Sequence, residues 1–151
     1  MKRYIVITFT IIAILFGGVA IKANAQVPSV YQGVYNGVLD KIEMRGKSYE
    51  AKPAVFRVEG DRLRCDFPKI GRMPGSIALD IPIKIDKNGV ITATDTKVGT
   101  LKIGSFEIIS LTLVKMSDAQ IKDGKLTVSL DITGKFLGFE FPASVHFVGN
   151  R

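Results

Sequence analysis

The chain of 151 residues contains one cysteine, one histidine and no tryptophan. A single thiol, Cys65, forms no internal disulfide, so the fold rests on packing alone. One histidine (His146) and one cysteine fall short of a zinc site of the usual kind, and no metal or cofactor is expected. Acid–base or nucleophilic catalysis needs a base beside a nucleophile. His146 lies out of phase with the apolar residues around it, which puts it on a solvent face, and Cys65 alternates with Leu63 and Phe67 as a small core residue. The acidic residues are scattered beside turns. Asp86-x-Asn88 opens like a calcium loop but lacks the later ligands. Gly71 and Gly75 precede no helix that could cradle phosphate. The chain therefore reads as non-enzymatic.

Acidic residues are missing before Asp40, and the N-terminus is instead basic and then apolar. Lys2 and Arg3 precede an apolar run from Tyr4 to about Ile21. Ala23-Asn24-Ala25 follows, with small residues where a signal peptidase cuts. This order predicts a signal peptide over residues 1–25 and a mature domain over 26–151, exported to the periplasm or beyond. The alternative for the run is an uncleaved anchor, since about 18 apolar residues can just span a bilayer. Membrane contact is expected only through the uncleaved signal peptide. Loss of Lys2, Arg3 and Lys22 with the leader lowers the formal charge from +7 to +4. That mild excess is no nucleic-acid signature.

The mature part also lacks a helical pattern of ordinary length. Its dominant signal is period two, in short segments separated by turn residues. Gly33–Met44 opens with Tyr35 and Leu39 on one face, and a bulge near Asp40-Lys41 brings Ile42 and Met44 onto it. Ala54, Phe56 and Val58 run into Glu59-Gly60-Asp61, and Leu63, Cys65 and Phe67 return. The opposite face of this hairpin mixes Arg57, Arg62 and Arg64 with Glu59 and Asp66. Together with Lys69 and Arg72 these make a basic cluster, read as a mixed solvated face because acids are interleaved.

Residues 69–75 read as a loop. Ile77, Leu79, Ile81, Ile83 and Ile85 then alternate, with Pro82 implying a break in pairing. Asp86–Gly89 reads as a turn with positive φ at Asn-Gly, and Val90–Thr96 as its return strand. Thr100–Met116 is a long apolar stretch with a kink at Gly104. Its part from Ile108 to Val114 is apolar on both faces. Ser117–Lys125 is polar enough for a helical turn. Leu126, Val128, Leu130 and Ile132 form a strand, Gly134-Lys135 a turn, and Phe139, Phe141, Val145 and Phe147 the last strand.

About eight strands joined by short turns predict an all-β, antiparallel up-and-down barrel, with a two-sheet sandwich as the alternative. Pairing of the first and last strands would remove both edges. The expected interior is Tyr35, Leu39, Phe56, Val58, Leu63, Phe67, Leu79, Ile81, Leu130, Phe139, Phe141 and Phe147. These are the residues that a ligand inside the barrel would touch.

The segment Tyr31-Gln32-Gly33-Val34-Tyr35-Asn36-Gly37-Val38-Leu39 resembles the opening strand of calycin-like proteins exported by Gram-negative gut bacteria. Gly138–Phe141 and Val145–Gly149 resemble their last strand, and the runs at Gly124–Val128 and Gly75–Ile83 fit as well. The similarity covers most of residues 31–150. Tyr35 stands where lipocalins carry the tryptophan of a Gly-x-Trp motif. The resemblance implies a lipocalin-type meander barrel and a small apolar ligand. The bulky interior points the other way, to a filled scaffold whose loops, Lys69–Gly75 and Met116–Lys125, would bind a protein or glycan partner.

Overall fold

A computed structural model describes residues 27–67, 69–71, 73, 75–103, 106–136 and 138–151, with the backbone alone for residues 106–108, 136 and 139. The leader expected over residues 1–25, Arg72 and the kink at Gly104 lie outside the described residues. A 3₁₀ turn, Ser29–Tyr31, precedes ten strands: β1 Gly33–Met44, β2 Lys47–Tyr49, β3 Lys52–Glu59, β4 Arg62–Phe67, β5 Ser76–Ile85, β6 Ile91–Ala93, β7 Lys97–Ile103, β8 Phe106–Lys122, β9 Lys125–Phe136 and β10 Phe139–Asn150. Eight of them form a closed antiparallel barrel in the order β1-β3-β4-β5-β7-β8-β9-β10, and β10 returns to β1. The short strands β2 and β6 pair with β1 and β5 outside this ring.

Closure runs from Asn36 opposite Asn150 to Met44 opposite Ala143. Its register shifts between Leu39 and Lys41, where the sequence places a bulge. The shift lets Tyr35 and Leu39, then Ile42, all point inward and lie buried. On β9 the even residues Leu126, Val128, Leu130 and Ile132 are buried, and on β10 Val145 and Phe147. Phe56 and Phe147 meet across the interior with ring centroids 4.3 Å apart. Gly149 makes room for this, since a Cβ there would stand 2.4 Å from the Phe147 ring.

Pro82 falls where β5 changes partner. The β5–β7 pairing ends at Leu79 opposite Gly99, and the β5–β6 pairing begins at Ile83 opposite Ala93. A residue without an amide proton fits that gap.

Several local expectations are corrected. The apolar stretch Thr100–Met116 is divided between two paired strands, β7 and β8. The alternation of β8 fails because the strand carries two register shifts, one between Leu113 and Lys115 and one between Ser117 and Gln120. Ile109 and Leu111 face inward before them, Ala119 is buried within the second, and Ile121 faces inward after it. Residues 117–125 hold no helical turn. Asp118 sits in the second shift with φ 49°, and Asp123 and Gly124, φ 52° and 76°, make a two-residue hairpin turn. Positive φ at both central residues matches the twist of the flanking strands. Gly134-Lys135 is not a turn but continues β9, which reaches Phe136. Of the expected strand Val90–Thr96 only Ile91–Ala93 is extended as β6. In the turn before it Gly89 alone has positive φ. The Asp86 carboxylate accepts from the amides of Asn88 and Val90, which shapes that turn without Asn88 in the left-handed region.

One end of the barrel is plugged. The Tyr35 hydroxyl donates to the Tyr31 carbonyl at 2.7 Å, and the Tyr31 hydroxyl to the Lys87 carbonyl at 3.2 Å. The Gln32 side-chain amide exchanges two bonds with the Gly60 backbone, at 2.9 and 2.7 Å. Arg151 donates from its side chain to the carbonyls of Val30 and Gln32, and from its backbone amide to Gly124. The 3₁₀ turn is thus tied to three different hairpin turns.

Truncation of Phe56 would leave its ring-sized space lined by residues that have no alternative partners. Phe56→Ala is expected to lower unfolding free energy by about 3–5 kcal/mol, read from urea denaturation. A loss below about 1 kcal/mol would mean that the barrel centre is not packed as described.

Candidate functional site

At the end opposite the plug the interior is hollow. A cavity of about 560 Å³ is lined by Met44, Arg45, Lys47, Tyr49, Met73, Ile77, Leu101, Ile109, Leu111, Ile132, Gly134, Phe141, Pro142 and Ala143. Its wall comes from the ends of several strands: the starts of β5 and β8 and the last residues of β7 and β9. Ile77, Leu101 and Ile109 lie in register across β5, β7 and β8, and Leu111 lies opposite Gly134. Gly134 keeps the wall thin, since a Cβ there would press on Ile109 and Leu111 at 3.0 Å.

Among the described residues two features shape the rim. Arg45 and Gly46, φ 52° and 79°, form the turn between β1 and β2. This turn puts the short β2 at the mouth, with Lys47 and Tyr49 on it. The loop 69–75 is the second feature. Ile70 is buried beneath it, Met73 faces the cavity, and the Met73 amide donates to the Ile70 carbonyl. Gly71 lies against the ring of Tyr49, where a Cβ would come within 2.9 Å. Glycine there lets loop and strand touch.

The residues expected from the sequence divide unevenly. Tyr35, Leu39, Phe56, Val58, Leu63, Phe67, Leu79, Ile81, Leu130 and Phe147 are all buried, and they form the solid part of the barrel, not the cavity wall. Phe141 alone of the expected set lines the cavity. The side chain of Phe139 lies outside the described residues. Filled and hollow interiors, which the sequence sets against each other, occupy opposite halves of one barrel.

The chemistry-bearing side chains stand apart from the cavity. Cys65 is buried, and burial pushes its thiol up from 9.0 to about 12; the Asp66 carboxylate adds to this and the Arg57 guanidinium opposes it. A protonated thiol is a poor nucleophile. Burial likewise raises the Tyr35 phenol, against the attraction of Arg151. His146 faces Asp40 across the β1–β10 bulge, with Nδ1 2.6 Å from Oδ1. The sequence shows no sign of this pair, because 106 residues separate its members. Among the described residues no group of three or more His, Cys, Asp or Glu is placed to hold a metal ion.

The basic cluster of β3 and β4 is neutralised on the outer face. Arg57 reaches Glu59 and Asp66, and Arg64 reaches Glu59, at 3.5–3.9 Å. Asp80 of β5, which the sequence does not bring near, lies 3.5 Å from both Arg62 and Arg64. Such exposed pairs contribute little to stability.

Comparison with known proteins returns no matching family model, no matching curated protein and no matching solved structure.

The Cys65 thiol makes alkaline stability diagnostic. Its folded pKa is raised, so its contribution is complete below pH 9.0 and is lost as pH rises to about 12. Over that range the protein is expected to lose up to about 4 kcal/mol more unfolding free energy than Cys65→Ala does. Parallel declines in the two proteins would show that the thiol is not buried in this way.

Proposed function

We propose that the protein is an exported, calycin-like binding protein that holds a small apolar ligand at the open end of its barrel. One observation carries the reading. The interior is packed solid at the plugged end, yet a cavity of about 560 Å³ remains at the other, walled mainly by apolar side chains with Arg45 and Lys47 among them. That volume is in the range of about 300–1,000 Å³ typical of small-molecule sites.

Well-packed domains leave few voids larger than a water molecule. A wall of Ile77, Leu101, Ile109, Leu111 and Ile132 facing open space forgoes contacts that a ligand would restore. Met44 and Met73 at the mouth add unbranched, adaptable side chains, which accommodate ligands of varied shape. The plug stitched to three hairpin turns keeps the far end closed, so a ligand would enter and leave past β2 and the loop 69–75.

The calycin-like assignment rests on the closed eight-stranded antiparallel meander and on the resemblance of its first and last strands. Export rests on the leader pattern of residues 1–25.

A fluorescent apolar probe should bind the purified mature domain with saturable 1:1 stoichiometry. Ala143→Trp, which extends a half-buried wall residue into the cavity, is expected to weaken the probe at least about tenfold, since the indole takes up much of the space. Its urea midpoint should stay close to that of the parent. Undiminished binding by Ala143→Trp would place the probe elsewhere, and no binding by the parent protein would remove the proposal.

A further inference from the structure

Resting on the apolar-ligand reading, we infer that the cavity selects a single-chain amphiphile with an anionic head, whose tail fills the hollow while its head meets Arg45 and Lys47 at the mouth. The cavity's charge is one-sided. Among the described residues its lining includes Arg45 and Lys47 and no carboxylate. An apolar tail alone would need no cation there, and a cationic head would be repelled.

Arg45 differs from the other described arginines. Arg57, Arg62 and Arg64 each have carboxylates within 4.0 Å, and Arg151 donates to two carbonyls. Among the described residues the Arg45 guanidinium has neither. It stands over the Phe141 ring, 5.5 Å from the centroid. Lys47 stands over the Tyr49 ring at 5.9 Å, likewise without a carboxylate partner among the described residues. Both rings belong to the cavity lining. Cation–π contact holds each charge above an apolar wall without using up its hydrogen-bond donors. A guanidinium in that state presents its planar fork to an incoming carboxylate or phosphate.

The backbone points the same way. Arg45 occupies a left-handed position, φ 52°, in a turn whose first central residue is ordinarily Asn, Asp or Gly. A long cationic side chain gains nothing locally from that conformation. What it gains is place: the turn projects it over the mouth, beside Pro142, whose carbonyl accepts the Arg45 amide at 3.1 Å.

The test uses the mature protein at low ionic strength, with three probes of equal tail below their aggregation concentrations: laurate, dodecan-1-ol and dodecyltrimethylammonium. Calorimetric titration is expected to rank laurate about tenfold above the alcohol, with the ammonium weakest. In the double variant Arg45→Gln, Lys47→Gln the ratio of laurate to alcohol should fall to about one. Raising salt to about 0.5 M should shrink the same ratio in the unmodified protein, a check that needs no variant. Dodecyl phosphate separates the two head chemistries: tighter binding than laurate names a phosphate, weaker binding a carboxylate, and both keep the anionic assignment. Equal affinity for laurate and the alcohol, or an ammonium bound as tightly as laurate, overturns the head-group inference while leaving the cavity occupied. Failure of all the tails to bind overturns the apolar-ligand reading itself.

Discussion

The pairing of β1 with β10 is the constraint on which everything else depends. An open meander of this length would leave two long edges whose unpaired backbone groups seek partners. Closure removes both edges and, with them, the freedom of the strands to flatten. Once Gly37 faces Gly149 and Ile42 faces Val145 across the seam, side chains two apart are bound to share one interior. The bulge at Asp40 keeps that true past the middle of β1. It also brings Asp40 to His146, so the one histidine reports on the seam from its outer side.

Closure explains how a barrel can be both filled and hollow. At the plugged end, large rings fill the taper: Phe56 against Phe147, and Tyr35 beneath the Tyr31 carbonyl. Toward the other end most inward residues are Ile, Leu, Met, Ala and Gly, with the rings of Tyr49 and Phe141 at the mouth, while the wall is held apart by the same strand number. The Ile, Leu and Met side chains there leave a cavity of about 560 Å³ between them. Among the described residues at that mouth, the two-residue turn Arg45-Gly46 and the segment around Ile70, Gly71 and Met73 supply no plug like the one that Arg151 and the 3₁₀ turn make.

Much of this was legible in the residues, and the failures have physical causes. Strict alternation in Ile77–Ile85 and Leu126–Ile132 identified strands and their inward faces, because one dry face enforces period two. The phase shift after Leu39 marked the bulge for the same reason. Alternation gave no guidance along β8, where two register shifts within ten residues reset the phase twice. Gly134 looked like a turn because glycine is read locally, whereas its small size serves the packing of Ile109 and Leu111 across the sheet. The cavity itself was the least visible feature. Inward-facing residues are recognised by period, but whether they meet across the barrel depends on their size and on which end they occupy. Period alone pointed to Phe56 and Phe147, which fill space, and passed over Arg45, Lys47 and Met73, which lie in a turn, a short strand and a loop.

Xenon binds dry apolar voids without regard to head group or tail length, which makes it the most direct probe of the division between a solid and a hollow half. Under xenon pressure, methyl resonances of Leu101, Ile109, Leu111 and Ile132 are expected to shift together, while those of Leu39, Val58, Leu63 and Leu130 stay in place. Shifts centred on Leu63 and Leu130, or none at any methyl, would contradict the account.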